Sequence, residues 1–351
     1  MAVELKDVGR ELKAARRLLF TGHVIPDGDC VGSMLALGLA LEREGKEAAF
    51  VSPGPVPLIY SFLPGVARIK VGPPAEKGFD LVVVVDTSVP ERLGDLFGAL
   101  EELRRSGSRI LVMDHHLSAQ PFGDLNYFEP GAAAVGEIVF DLLKLLNLKI
   151  DRDIATCLYV AIATDTGGFC YETTTAVTHR RVADLIEAGV DVRDVSRRLF
   201  EEKPFKSIEA LRAALNNLEL DPSGRVAWMV LDAETLKKLQ VKDEHTDGLV
   251  NYARFIQGVE VALLFREVGE GQVKISFRSK KHVDVSRLAA RFGGGGHLRA
   301  AGAVVKGDLG RVKEAVVQAS TAAVAEAIAG RPEARELSCV SARDGGDGRN
   351  S

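Results

Sequence analysis

The stretch FDLVVVVDTS, residues 79–88, decides the fold: four consecutive valines closed by Asp86. Residues 109–116, RILVMDHH, repeat the pattern with Asp114, His115 and His116 at the end. Runs that are apolar at every position, and not at alternate ones, suit strands buried on both faces, which belong to parallel sheets covered by helices. Upstream, Val3, Leu5, Val8, Leu12 and Ala15 recur at helical spacing, and the LLF that follows reads as a strand ending at Thr21-Gly22-His23. Helical stretches over 33–44, 136–146 and 151–163 complete a β-then-α alternation, and in such open α/β domains ligands gather beyond the carboxyl ends of the strands.

The pattern changes near residue 190. A charged helical stretch runs to the turn Asp221-Pro222-Ser223-Gly224 and reads as a helical linker, 194–222, positioned to let two domains open and close. Beyond it, RVAWMVLD, VEVALLFREV and QVKISFRS read as strands, the last two joined by a Gly269-Glu270-Gly271 hairpin turn. The expected organisation is a parallel-sheet α/β domain over 1–193, the linker, a smaller α/β domain over 223–331 and a polar, Gly-rich disordered tail over 332–351.

Composition narrows the function classes. In 351 residues, 45 Lys+Arg against 49 Asp+Glu give a formal charge of −4, so no all-round basic nucleic-acid coat is present. Cys30, Cys157, Cys170 and Cys339 are scattered without a CxxC pair, which argues against a zinc knuckle or disulfide framework. The charged N-terminus lacks the apolar core of a signal peptide and no apolar run is long enough to span a bilayer, so a cytoplasmic protein without a membrane partner is expected.

Acids and imidazoles collect where the apolar segments end: His23, Asp27 and Asp29 in HVIPDGDCVGS, then Asp86, then Asp114-His115-His116, then Asp165 closing the helix or strand LYVAIATD. Pro26 and Gly28 suggest a tight turn that aims Asp27 and Asp29 into one volume, with a helix resuming over 31–33 whose N-terminal N–H groups suit a phosphate. Singly, Asp86 reads as a turn former or helix cap, Asp165 as a cap, and His23 as a hydrogen-bonded loop histidine. Together the acids would repel one another unless divalent cations neutralised them. Carboxylate and imidazole donors without thiolate suit Mn²⁺ or Mg²⁺, and this many donors suit two ions roughly 3.5 to 4 Å apart, an arrangement that activates hydroxide for attack on phosphorus.

These motifs, HVIPDGDCVGS, VVVVDTS, VMDHH and TDTGGF, together with SFRS and the later GGGGH, resemble the DHH phosphoesterases over residues 5–330. The nearest likeness is to the NrnA-type branch, which combines nanoRNase activity with removal of phosphate from 3′-phosphoadenosine 5′-phosphate (pAp). The resemblance implies two-metal hydroxide attack that hydrolyses short oligoribonucleotides to mononucleotides and converts pAp to AMP. It implies that His23, Asp27 and Asp86 hold one cation and that Asp29, Asp86, His115 and Asp165 hold the other, with Mn²⁺ ahead of Mg²⁺. Asp114 would orient a histidine. His116 would face the scissile phosphate, as general acid or as an orienting donor. A homodimer stays open, as does the alternative that the substrate is a cyclic dinucleotide or the linear pApA.

The second domain carries a complementary signal. From Lys274 to Arg299 seven basic residues face one acid, Asp284, a net +6 that leaves −10 for the remainder. Gly293 to Gly296 allow backbone N–H groups to approach an anion. Arg278 and Ser279 are the expected phosphate donors, with Gly294, Gly295, Gly296, His297 and Arg299 as the remaining substrate-binding residues. So compact a basic module suits a short anionic substrate better than a long duplex. A nucleotide-binding regulator with a dead site would lack ligands, and none is missing.

Overall fold

The structure, a computed structural model, describes residues 2–269 and 271–329, so the expected tail over 332–351 and the turn residue Glu270 lie outside the described residues. The chain divides into two compact units, one ending at Glu202 and the other beginning at Lys203. The first contains α1 (Leu5–Ala14), β1 (Arg17–Thr21), α2 (Gly28–Arg43), β2 (Glu47–Ser52), β3 (Lys70–Val71) and β4 (Leu81–Val85). It continues through α3 (Leu96–Arg105), β5 (Arg109–Asp114), β6 (Leu125–Phe128), α4 (Val135–Leu145), α5 (Arg152–Asp165), α6 (Ala176–Glu187) and α7 (Val192–Ser196).

Its six strands are all parallel in the order β3-β2-β1-β4-β5-β6. The winding reverses between β1 and β4, and the crevice beyond their carboxyl ends is where doubly wound sheets bind ligands. Leu81, Val83 and Val85 enter the core shared with α2, α4 and α5, while Val82 and Val84 enter a second core with α3 on the other face. That two-sided burial is why the valine run shows no polar alternation.

One expectation about the loops changes and one open alternative is decided. Helix α2 begins at Gly28, ahead of the expected 31–33, because Asp27 takes the N-cap and accepts the N–H groups of Asp29 and Cys30, both at 3.1 Å. Those helix-end donors are therefore engaged by the chain itself and not open to a phosphate. Asp165 closes a helix, α5, so only His23, Asp86 and the Asp114–His116 run follow strands. Glycines bring α2 against α5: a Cβ on Gly32 would stand 2.4 Å from the Cys157 carbonyl oxygen, and one on Gly28 2.4 Å from Thr164 Oγ1.

The second unit comprises α8 (Phe205–Asn216), β7 (Glu219–Leu220), β8 (Val226–Leu231), α9 (Ala233–Leu239), α10 (Val250–Arg254) and β9 (Val261–Glu267). It ends with β10 (Gln272–Ser279), α11 (Val285–Ala290), β11 (Gly295–His297), β12 (Ala300–Lys306) and α12 (Leu309–Ala329). The sheet order is β11-β12-β10-β9-β8-β7, with β8 and β9 the parallel pair and the other neighbours antiparallel. Helix α8 and β7, inside the stretch read as a linker, are built into this unit: Ala210 and Ala214 share a core with Ala227 and Met229. On β10, Val273, Ile275 and Phe277 are buried on one face, leaving Lys274, Ser276 and Arg278 half-buried on the other. Among the described residues no helix is long and apolar enough to cross a membrane.

Gly32→Ala tests the helix approach. It gains about 1 kcal/mol of helix propensity, but overpacking against a backbone carbonyl costs up to about 3 kcal/mol. The expected outcome is a lower melting temperature in thermal unfolding; an unchanged or higher one would mean that α2 has room to spare.

Candidate active site

The crevice beyond β1 and β4 gathers every first-unit residue singled out in the sequence. His23 follows β1 and is 2% exposed; its Nε2 lies 3.2 Å from Asp86 Oδ2 and 3.8 Å from Asp27 Oδ2. Asp86 follows β4, and its N–H extends the sheet ladder to the Met113 carbonyl (3.0 Å) while its φ turns to +52°. That left-handed conformation is uncommon outside glycine, and short polar residues such as Asp tolerate it best. It turns the Asp86 carboxylate toward both histidine groups.

On the far side, His115 Nε2 lies 3.3 Å from Asp165 Oδ2, 3.8 Å from Asp86 Oδ1 and 3.9 Å from Asp29 Oδ2. Its Nδ1 is 3.1 Å from the Ala132 carbonyl, which only accepts, so Nδ1 carries the proton and Nε2 faces the carboxylates. Asp114 is fully buried, and its Oδ1 accepts the N–H groups of His115 (2.6 Å) and His116 (2.9 Å) and the Nδ1–H of His116 (2.5 Å). The histidine side chain that Asp114 orients is thus His116.

Electrostatics strain this cluster. Burial, then the charges of Asp27 and Asp29, raise the Asp86 carboxyl well above the usual range. Burial and the Asp29 charge push Asp165 up to about 8, and burial lifts Asp29 to about 6. Burial disfavours the His115 imidazolium, but Asp29, Asp165 and Asp86 outweigh it and raise the ring to about 9. Burial also opposes ionisation of Asp114, yet the His116 contact holds it below the ordinary range. Cys30 is driven the other way, its thiol kept neutral by burial and by the Asp86 and Asp27 charges, and it packs into the core without joining any of the donor groups.

The donors fall into groups that can hold a cation: His23 with Asp27 and Asp86, and Asp29 with His115 and Asp165; Asp86 also joins Asp114, His115 and His116. Asp86 Oδ1 and His115 Nε2 are buried without hydrogen-bond partners, 3.8 Å apart. Buried polar atoms of this kind are rare unless something else satisfies them, and oxygen and imidazole donors fit a hard divalent cation.

Residues 17–162 match the family model for the DHH family, N-terminal domain, and residues 226–328 match the DHHA1 domain. The bifunctional oligoribonuclease and PAP phosphatase NrnA of Thermus thermophilus is 33% identical over 321 residues, 90% of this chain and 93% of that one. The chain belongs to the DHH family. The Bacillus subtilis protein of the same description is 29% identical across 81% of this chain and 87% of its own. A crystal structure of an exopolyphosphatase-related protein from Bacteroides fragilis superposes with a TM-score of 0.83 at 25% identity, covering 92% of this chain and 95% of that one.

In the DHHA1 unit of this DHH-family chain, several expected substrate contacts have internal partners. Ser279 is 1% exposed and its hydroxyl donates to the Val283 carbonyl (2.7 Å), so it is a turn-forming residue and not an outward phosphate donor. Arg299 donates to the same carbonyl (3.0 Å), with its Nε buried and without a hydrogen-bond partner. Arg278 donates to its neighbour's carbonyl, and Lys274 pairs with Asp243 at 2.7 Å. A Cβ on Gly294 or Gly296 would strike β12 backbone, at 2.1 Å from the Gly302 oxygen and 2.5 Å from the Ala300 oxygen. At Gly293 and Gly295 the missing side chain leaves open space, and His297 continues β11 two residues after Gly295.

Two residues escaped the sequence reading. The Ala132 carbonyl offered no side-chain signal at all. Glu260 did, as a lone acid inside Val259-Glu260-Val261: it is buried, and its Oε1 accepts the N–H groups of Lys281 (3.1 Å), His282 (2.5 Å) and Val283 (3.0 Å), shaping the loop beside Arg299.

A metal-free pH series tests the cluster. Between the ordinary carboxylate range and about pH 8, folded Asp165 holds a proton that the unfolded chain has released, so stability falls as pH rises. His115 acts in the same direction, because its stabilising charge is lost as pH climbs through about 9. In chelator, the melting temperature should drop between about pH 6 and about pH 8.5, and Asp86→Asn should flatten that drop. A wild-type melting temperature that rose across this range would contradict the repulsion described.

Proposed function

We propose that the chain is a metal-dependent phosphoesterase that hydrolyses short oligoribonucleotides to mononucleotides and dephosphorylates pAp to AMP. The observation that carries this reading is the place of Asp86 in two donor groups, one with His23 and Asp27 and one with Asp114, His115 and His116, with its buried Oδ1 lacking a protein hydrogen-bond partner. Homology supports the substrates, since relatives aligned over most of the chain are described as oligoribonucleases and PAP phosphatases.

In this reading His23, Asp27 and Asp86 hold one divalent cation and Asp29, Asp86, His115 and Asp165 hold a second, Mn²⁺ ahead of Mg²⁺. When bound, the cations supply Lewis acidity, neutralising phosphoryl oxygens and acidifying water. The chain's own residues do the rest. Asp114 accepts the His116 Nδ1–H and so fixes the ring, which leaves Nε2 to act on the departing ester oxygen, as general acid once the ring is protonated or as an orienting contact to the phosphate. Arg278 and Arg299, with the open backbone at Gly295 and the adjacent His297, bind the phosphate or sugar of a short anionic substrate. A cytoplasmic location belongs to the same proposal.

Asp86→Ala should abolish turnover of both pAp and end-labelled RNA dimers to pentamers, by at least about 10³-fold, with or without added Mn²⁺. Arg278→Ala should lower kcat/KM for both substrates by about 10- to 100-fold, mainly through KM. Linear and cyclic diadenylate run alongside separate the alternative: faster turnover of either than of pAp and short RNA would replace this assignment.

A further inference from the structure

Helix α4 has alanine at its N-cap, and Ala134 offers no side chain to the N–H groups of the first turn. Another helix supplies the cap. Asp29 of α2 accepts the Val135 N–H at Oδ2 (2.6 Å) and the Gly136 N–H at Oδ1 (2.9 Å), with the Ser33 hydroxyl also at Oδ1 (2.9 Å). The position of the Asp29 carboxylate is therefore set by where α4 starts. Just upstream, the Ala132 carbonyl receives His115 Nδ1–H and sets the rotation of that ring. One short segment, 132–136, thus orients two of the three side chains in the Asp29–His115–Asp165 group and none in the His23–Asp27–Asp86 group.

What holds that segment is Glu137. It is 2% exposed, and its Oε2 accepts the Ala133 N–H (3.0 Å), midway between the two attachment points. The same oxygen takes Arg181 NH1 of α6 at 3.0 Å, while Arg181 Nε and NH2 grip the Asp141 carboxylate one turn further along α4. Capping a helix needs no such arrangement: a buried carboxylate with its Oε1 unpartnered is an expensive way to start a helix when a serine at the N-cap would serve. The arrangement is intelligible if the position of the 132–136 backbone itself matters.

We propose that the buried Glu137–Arg181 pair is a positioning element for one of the two cation sites, holding Asp29 and His115 in register through the backbone of residues 132–136. The inference rests on the two-cation reading above, and the test separates them. Direct Mn²⁺ titration of the wild-type protein, followed by the electron paramagnetic resonance of free Mn²⁺, tests that reading alone and is expected to show two bound ions. In Glu137→Ala one site should weaken by about 10- to 100-fold, the size usual when a partner behind a ligand is removed, and the other should stay within a few-fold of wild type. Glu137→Gln keeps an oxygen for the Ala133 N–H and should retain both sites. Arg181→Ala should show the same selective loss at smaller size, and it carries the test if Glu137→Ala fails to fold. Two wild-type bound ions together with unchanged affinities in the folded variants would overturn the proposal. So would equal weakening of both sites, since that is what a merely structural role produces.

Discussion

Carboxylates that repel one another are held together in a buried crevice, and most of the first unit follows from that constraint. Asp86 stands at its centre, with Asp27 and His23 on one side and Asp29, His115 and Asp165 on the other. Left alone, such a cluster would spread apart or keep protons; the raised Asp86, Asp165 and Asp29 carboxyls record the second response. The first is blocked by the framework. Three ligand segments leave adjacent strands of one parallel sheet, and α2 and α5 are pressed together where a methyl group would collide. The fold confines charge, and a cation is the natural means of relieving it.

Much of this was legible from the order of residue types, for a physical reason. A strand buried on both faces has to be apolar throughout, so Val82 to Val85 and Ile110 to Met113 stand out, and a charged residue directly after such a run marks the carboxyl edge of the sheet. The donors of the crevice are read in this way except Asp27, which caps α2, and Asp29 and Asp165, which sit on helices. What stayed hidden was carried by backbone atoms and by pairings remote in sequence. The Ala132 carbonyl has no signature, and the Asp29 bond to Val135 and Gly136 joins segments that no local pattern links. The start of α2 stayed hidden because Pro26 and Gly28 around Asp27 have the composition of a turn, while the Asp27 carboxylate in fact caps the helix.

The DHHA1 unit shows the opposite imbalance: its composition said more than its geometry allows. Seven basic residues between Lys274 and Arg299 looked like a surface for anions, yet Lys274 is paired with Asp243, outside the counted segment. Charge tallied over a window overlooks partners that the sheet brings in from elsewhere. The glycine run divides similarly, with Gly294 and Gly296 required by the close approach of β12 and Gly293 and Gly295 facing open space. A side-chain hydroxyl such as that of Ser279 looks like a donor in sequence, and burial decides which way it donates.

The order of the donors along the chain has a bearing on biogenesis. Among the donors His23 emerges first during synthesis and Asp165 last, and strands β2 to β6 lie between them. No partial chain ending before α5 holds Asp165, so the Asp29–His115–Asp165 group is complete only after every strand of the sheet has been made. The His23–Asp27–Asp86 group, by contrast, is complete as soon as the chain has passed β4, so the two groups of donors are finished at different stages of synthesis.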